Sequence, residues 1–213
     1  VELGRRALTI LRAGNEEHYV ELTVSPLRNA AGDVDGTVVA VRDVSDIRGL
    51  TRQMSYQASH DALTGLVNRR EFERRLQDAL DVAHANGGRH VLCYLDLDRF
   101  KSVNDECGHL AGDNLLREIA GIVKEAVRDS DTVGRLGGDE FGILLVGCPL
   151  EKARQIADDA VRAVGGHRFV WKDKIFNVGV SVGLVEVSSE SGSLEDVLAT
   201  ARLAGIQAAK RCS

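Results

Sequence analysis

Alternating apolar and polar residues dominate the first 44 positions of the chain. The stretch "HYVELTVSPL" (18–27) has the two-residue period of a strand, "NAAGDVDG" (29–36) is rich in turn formers, and "TVVAVRDVS" (37–45) resumes the alternation. This pattern predicts a β-hairpin with too little chain beside it to form a core of its own.

A helical period follows the hairpin and runs to about Ser59. Ile47, Leu50 and Met54 fall at i, i+3 and i+7, which places them on one stripe of a helix. Such a stripe is typical of a coiled-coil stalk, and equally of a helix that packs on its own domain. The pattern leaves both alternatives open.

From Asp61 onward the pattern alternates between helices and strands. It predicts helices over 69–85, 99–106, 113–128 and 150–164, a buried strand at "HVLCYLDLD" (90–98) and a hairpin over 132–146. A second hairpin should present Phe176, Val178, Val180 and Val182 on one side. Ser193 should cap the last helix, with Asp196 at its third position. These elements predict an α+β fold with helices on a central antiparallel sheet.

Composition narrows the class of protein. The chain has 213 residues, of which 44% are apolar, enough for one full domain and part of another. Its net charge of −5 argues against nucleic-acid binding through a basic surface. The four cysteines are scattered without metal-ligand spacing and no apolar run reaches the length of a membrane span, which favours reduced thiols in the cytoplasm.

Two acids end the buried strand of the second region. Asp96 and Asp98 are two residues apart, so their side chains point to the same face of the strand. The helix that follows opens with free N–H groups, which favour phosphate, and Lys101 adds a positive charge there. Asp98 has an alternative role as the cap of this helix, whereas capping does not explain Asp96.

A second acidic pair, Asp139 and Glu140, opens a strand after the glycines of "RLGGDEFGILLV" (135–146). If that strand neighbours the one ending at Asp96, three carboxylates meet and repel one another unless cations lie between them. Mg²⁺ prefers such oxygen ligands together with phosphates. Gly137 and Gly138 would let a nucleotide approach the backbone, although a Gly-Gly-acid turn by itself is only a turn.

Three blocks together resemble the GGDEF domain of diguanylate cyclases. They are "DALTGLVNRR" (61–70), "DLDRFKSVNDECGHLAGDNLL" (96–116) and "RLGGDEF" (135–141), in the family's order and spacing over about 150 residues. The resemblance implies a palm-like, ferredoxin-like α+β domain related to nucleotide cyclases. It also implies condensation of two GTP molecules, one on each subunit of a homodimer, into cyclic di-GMP and pyrophosphate.

The resemblance further implies the residues of the site. Mg²⁺ or Mn²⁺ would be held by Asp96, the Leu97 carbonyl, Asp139 and Glu140, and one acid of the 139–140 pair would activate the 3′-hydroxyl. The remaining substrate-binding residues it implies are Arg99, Phe100 and Lys101 for the terminal phosphates, Asn104 and Asp113 for guanine, and Gly137, Gly138 and Lys210.

Chemistry supports the guanine assignment, because a carboxylate accepts both the ring N–H and the exocyclic amine of guanine. Asp113 therefore predicts GTP over ATP. The alternative for Asn104 and Asp113 is ordinary capping of the loop "ECGHLAG" (106–112).

Arg128 and Asp131 form an RxxD pattern at the spacing of the family's product-inhibition site. Arginine there would grip the guanine or phosphate of cyclic di-GMP. The alternative is a solvated ion pair at a helix end.

The last helix departs from the family pattern, since Leu203 and Gln207 replace the usual Asp and Tyr while Lys210 is kept.

Residues 1–44 resemble the end of a PAS sensor domain, 45–60 a signalling linker helix and 61–213 the GGDEF domain. The stretch after residue 147 is similar to proteins in which an EAL phosphodiesterase domain follows, and upstream segments could attach a longer protein to a membrane. Two functions are therefore predicted, an active cyclase or a GTP- or cyclic di-GMP-binding module that controls an EAL domain. A purely structural connector leaves the acids unexplained.

Overall fold

The computed structural model describes residues 5–11 and 17–209. The chain divides into two compact units, residues 1–58 and 59–213. The strands are β1 (Arg5–Leu11), β2 (Glu17–Arg28), β3 (Val34–Asp43), β4 (Val67–Asn68), β5 (His90–Asp98), β6 (Thr132–Gly137), β7 (Glu140–Leu145), β8 (Arg168–Trp171), β9 (Lys174–Asn177) and β10 (Gly179–Val187). The helices are α1 (Ser45–Ser59), α2 (Arg69–Asn86), α3 (Phe100–Cys107), α4 (His109–Glu125), α5 (Leu150–Gly166) and α6 (Leu194–Ala209).

The first unit is an antiparallel sheet of order β1-β2-β3 followed by α1. The predicted hairpin is β2–β3, and β1 adds a third strand. Most apolar side chains of β3 are exposed, Val39 at 54% and Val41 at 61%, as expected for a sheet with little chain to cover it. On α1, Ile47 and Met54 are also exposed, while the Arg48 guanidinium lies 4.9 Å from the centre of the Tyr19 ring.

The second unit is built on a five-stranded sheet of order β10-β5-β7-β6-β4. The pairs along β10, β5, β7 and β6 are antiparallel, and only the short β4 runs parallel to its neighbour β6. The order places β5 between β10 and β7, so the strand that ends in the acids is paired along both edges. The predicted α+β fold with a central sheet and flanking helices is confirmed.

Apolar side chains of β5 alternate between two buried layers. Cys93 and Leu95 face the layer that holds α4 and α5, whereas Leu92 and Tyr94 face the layer of α2 and α6. By the two-residue period of a strand, Asp96 extends the row of Leu92 and Tyr94 at its open end. The acidic end of the strand therefore faces the side of α2 and α6.

Some predicted boundaries were wrong. Gly108, at φ +83°, is the only residue between α3 and α4, so the long helix begins at His109 instead of 113 and ends at Glu125 instead of 128. The second hairpin is β8–β9, and β10 leaves it to pair with β5. Phe176, Val178, Val180 and Val182 nevertheless pack on one cluster, as predicted.

The Ser193 cap is confirmed, since its Oγ accepts from Asp196 N at 3.3 Å and donates to Asp196 Oδ2 at 2.7 Å. No helix within residues 5–11 and 17–209 is long and apolar enough to cross a membrane.

Candidate active site

The two acidic loci of the sequence meet on neighbouring strands. Asp96 of β5 stands opposite Glu140 of β7 in the antiparallel register, and Ser181 of β10 stands opposite Asp96 on the other side. Side chains of directly opposed residues lie on the same face of a sheet, with Cβ atoms about 4.5–5.5 Å apart. Asp96 and Glu140 therefore form a carboxylate pair across the strands.

A set of polar contacts anchors the turn that carries Asp139. The backbone N–H of Leu97 donates to the Asp139 carbonyl at 3.2 Å, which ties the turn to the end of β5. Arg135 donates from Nε and Nη2 to the Gly138 carbonyl at 3.0 and 2.8 Å. Gly138 has φ +45°, a left-handed conformation that glycine adopts without steric cost. Residues of the "RLGGDEF" stretch thus help to hold the conformation of the turn that they form.

Arg135 also joins the turn to the first block of the second unit. Its Nη1 lies 3.3 Å from Asp61 Oδ1, and both side chains are largely buried. Asp61 Oδ1 in turn accepts from Thr64 N at 2.9 Å and Thr64 Oγ1 at 2.7 Å. Burial opposes ionisation of Asp61, but the bonds from Thr64 and the charge of Arg135 outweigh it and lower the pKa of Asp61.

Electrostatic repulsion within the acidic pair is visible at Asp96. Burial raises the pKa of this carboxyl, and the charges of Asp139, Glu140 and Asp98 raise it further. Arg202 of α6 acts in the opposite direction. Within residues 5–11 and 17–209, no three His, Cys, Asp or Glu side chains are arranged as a ready metal site. The acids lie close enough to repel, yet their side chains are not gathered around one point.

The alternative role predicted for Asp98, as a helix cap, was wrong. Asp98 Oδ1 accepts from Ser181 Oγ at 2.8 Å, so the carboxylate is drawn to β10. The N-cap of α3 is Arg99, at φ +61°, and its side chain makes no capping hydrogen bond. The first-turn N–H groups of α3 are therefore left without a side-chain cap, beside the acidic pair.

The beginning of α3 presents the residues predicted to hold phosphate. Arg99 and Lys101 are exposed, and Phe100 packs partly against the core. A left-handed residue followed by a helical turn points successive N–H groups toward one place, as in anion-binding nests. This arrangement suits an anionic group at the end of β5.

The predicted guanine-reading residues lie on the α3–α4 pair. Asn104 is wedged against α4, since a Cβ added at Gly112 would lie 2.1 Å from Asn104 Oδ1. This buried oxygen has no hydrogen-bond partner. Asp113 follows Gly112 and is half-buried inside α4. The loop-capping alternative for both residues was wrong, because helices occupy almost all of the segment.

The solvated ion pair considered for the RxxD pattern is also absent from the described contacts. Asp131 Oδ2 accepts from the backbone N of Arg128 at 3.3 Å, and Asp131 N donates to the Arg128 carbonyl at 3.0 Å. Asp131 therefore closes a turn, and the exposed Arg128 guanidinium has no ion pair among the described residues. Both residues line a cavity of about 210 Å³ to which Arg75 and Lys124 also contribute.

The sequence analysis missed a basic residue of the site. Arg202 Nη2 on α6 lies 2.8 Å from Glu140 Oε1. Its signal was an arginine at the beginning of the departing stretch "RLAGIQAAK" (202–210), next in sequence to the buried Ala201. Leu203 is 60% exposed, while Lys210 lies outside the described residues.

Comparisons with known proteins agree with this architecture. A family model described as "Diguanylate cyclase, GGDEF domain" matches residues 58–212, and one described as "PAS fold" matches residues 4–49. The coiled coil and GGDEF domain of DgcB from Caulobacter crescentus, solved in complex with c-di-GMP, has a TM-score of 0.74 at 26% identity, over 80% of this chain and 90% of that one.

Two curated relatives are similar in sequence. "Probable diguanylate cyclase DgcE" of Escherichia coli is 43% identical over 87% of this chain, and "Cyclic di-GMP phosphodiesterase PdeB" of Shewanella oneidensis is 31% identical over 89%. The chain spans only 17% and 22% of the lengths of these relatives. Because the domain model covers most of the chain, and the blocks it shares with that family form the acidic site, the chain belongs to the GGDEF family of diguanylate cyclase domains.

Proposed function

We propose that this protein is a diguanylate cyclase, which condenses two GTP molecules into cyclic di-GMP and releases two pyrophosphates. The observation that carries the proposal is the cross-strand pair of Asp96 and Glu140, with Asp139 fixed next to it through the Leu97 amide. Burial and the charges of Asp139, Glu140 and Asp98 raise the pKa of Asp96, an arrangement that has no structural benefit.

The donor set fits a divalent cation. Asp96, the Leu97 carbonyl, Asp139 and Glu140 supply the hard oxygen ligands that Mg²⁺ or Mn²⁺ prefers. When bound, the metal would neutralise phosphate charge and polarise the α-phosphate toward attack. Asp139 or Glu140 would accept the proton of the 3′-hydroxyl, for which a carboxylate near the nucleophile is required.

Substrate binding would use the two helices after β5. The uncapped first turn of α3, at Arg99 and Phe100, together with Lys101 would hold the terminal phosphates. Asn104 and Asp113 would read guanine, since the orphaned Asn104 amide oxygen needs a donor and Asp113 accepts two N–H groups. Open space above Gly138 leaves room for the nucleotide beside the turn.

The reaction requires two copies of the chain. Each subunit would hold one GTP, and the 3′-hydroxyl on one subunit would attack the α-phosphate on the partner. A homodimer is therefore part of the proposal. We also assign the N-terminal 44 residues to the end of a PAS sensor domain and residues 45–60 to the linker helix that would pass its signal on.

Cyclic di-GMP would act as a feedback inhibitor at the cavity beside Arg128 and Asp131. Arg75, Arg128 and Lys124 outnumber the two acids of its lining, Asp129 and Asp131, which suits the phosphates or guanines of the product. Asp131 would hold the turn that presents Arg128.

A second candidate function is a GTP- or cyclic di-GMP-binding module that controls a phosphodiesterase domain elsewhere in a longer protein. The similarity to the much longer phosphodiesterase PdeB favours it, as does the altered last helix. Incubation of the dimeric protein with GTP and Mg²⁺ separates the two functions, because tight GTP binding without product supports the second and defeats the first.

A further inference from the structure

The carboxylate of Glu140 is held by an ion pair with a residue outside the acidic pair. Arg202 Nη2 is 2.8 Å from Oε1. Burial and the neighbouring Glu140 carboxylate raise the pKa of Tyr94, which lies on the same side of the site. Glu140 is 17% exposed and Arg202 61% exposed, so the carboxylate end of this ion pair is shielded from water while the guanidinium end is not. Tyr94 and Arg202 both line a cavity of about 670 Å³ between the sheet, α2 and α6. Glu140 is therefore drawn toward α6.

The position of Arg202 is fixed by close packing of α6 on the sheet. A Cβ added at Gly183 of β10 would lie 2.0 Å from the Ala201 carbonyl oxygen and 2.4 Å from Gly205 N. The helix backbone thus touches the strand backbone on both sides of Arg202 in sequence. This contact fixes where α6 stands, and with it the point from which Arg202 reaches Glu140.

Arg202 is also the counter-charge of the acidic pair. Among the charges that act on Asp96, those of Asp139, Glu140 and Asp98 raise its pKa and that of Arg202 lowers it. The Arg202 guanidinium therefore offsets part of the negative charge at this site, as a bound divalent cation would. Two cations close to one carboxylate repel each other, so they compete for it.

We propose that Arg202 is a built-in competitor of the divalent metal, because it must release Glu140 before that carboxylate joins the metal ligands. The inference rests on the proposed function. It makes Arg202 a positioning residue that sets the metal concentration at which the site fills. The contact also accounts for an acidic pair whose carboxylates are not yet arranged as a ligand set within the described part of the chain.

The test is a titration of the nucleotide-free protein with Mn²⁺, followed by electron paramagnetic resonance of the free ion. Arg202→Gln should lower the Kd for Mn²⁺ by about three- to tenfold, the range expected for loss of a partly shielded ion pair. Arg69→Gln is the matched control, since Arg69 lines the same cavity but pairs with Glu73. It removes the same charge nearby and should change Kd by less than about twofold.

A double-mutant cycle locates the effect. In a Glu140→Gln background, Arg202→Gln should no longer tighten Mn²⁺ binding, because the contested carboxylate is gone. If the wild type binds Mn²⁺ and Arg202→Gln leaves its Kd unchanged, the inference is overturned. It is also overturned if Arg69→Gln lowers the Kd as much as Arg202→Gln does. Both results leave the proposed function standing. Absence of Mn²⁺ binding in every variant also overturns the inference, whereas the proposed function is tested separately by product analysis with GTP and Mg²⁺.

Discussion

Arg135 Nη1 lies 3.3 Å from Asp61 Oδ1, while the rest of the same guanidinium binds the Gly138 carbonyl. The Arg135 side chain thus binds Asp61, 74 positions away in sequence, and also fixes the turn that carries Asp139. Neither group touches the cross-strand acids directly. The geometry of the acidic turn depends on a partly buried ion pair behind it.

Replacement of Arg135 by alanine should destabilise the second unit. It leaves the half-buried Asp61 with one partner fewer and frees the Gly138 carbonyl, a loss of about 1–3 kcal/mol. Urea unfolding measures it. Arg154→Ala removes an exposed ion pair to Glu151 and should cost less than about 0.5 kcal/mol. Equal destabilisation by the two substitutions would show that Arg135 anchors nothing.

Gly112→Ala should weaken the binding of GTP by about tenfold, since its new Cβ would displace the Asn104 amide. The measurement is competition of GTP and ATP for a fluorescent guanine nucleotide. Gly121→Ala, in the same helix with nothing within 4 Å, is the control and should leave binding intact while slightly stabilising α4. Unchanged guanine preference in Gly112→Ala would remove Asn104 from the site.

Asp96→Asn should stabilise the metal-free protein near neutral pH. The folded protein raises the pKa of Asp96, so its ionisation costs stability above that pKa, and the cost vanishes below the unfolded value. The gain, less than about 1 kcal/mol for a partly exposed group, should therefore shrink as the pH falls toward about 4. Urea midpoints at several pH values measure it. The exposed Asp105→Asn is the control, and a gain that persists at low pH would contradict the assignment.

Arg128→Ala should reduce inhibition by added cyclic di-GMP. The substitution removes an exposed guanidinium from the 210 Å³ cavity and leaves the Asp131 contacts with the backbone in place. The ratio of initial rates with and without the product measures the effect. Inhibition of the same strength in this variant would place the product elsewhere.

The strands, and the face on which each side chain lies, were predictable because buried and exposed positions recur along a strand with a period of two residues. The apolar run of "HVLCYLDLD" indicated the buried strand, and the two-residue spacing of Asp96 and Asp98 indicated their shared face. The partnership of Asp98 with Ser181 was not predictable, because it joins residues 83 positions apart whose register is set by the whole sheet.

Helix boundaries and charge partners were harder for the same reason. A single glycine, Gly108, both ends α3 and begins α4, which a search for a loop over 106–112 overlooks. Arg202 meets Glu140 only because α6 packs backbone to backbone against β10 at Gly183. No short-range pattern encodes that distance, whereas the blocks shared with the GGDEF family already indicated the acids themselves.

The most direct test of the central claim is product analysis of the dimeric 213-residue chain and its Asp139→Ala variant, incubated with GTP and Mg²⁺ and resolved by chromatography. The account predicts cyclic di-GMP and pyrophosphate from the wild type. It predicts no detectable product from Asp139→Ala, with circular dichroism showing an intact fold. Turnover that survives in Asp139→Ala, or a wild-type dimer that binds GTP and yields no cyclic di-GMP, would contradict it.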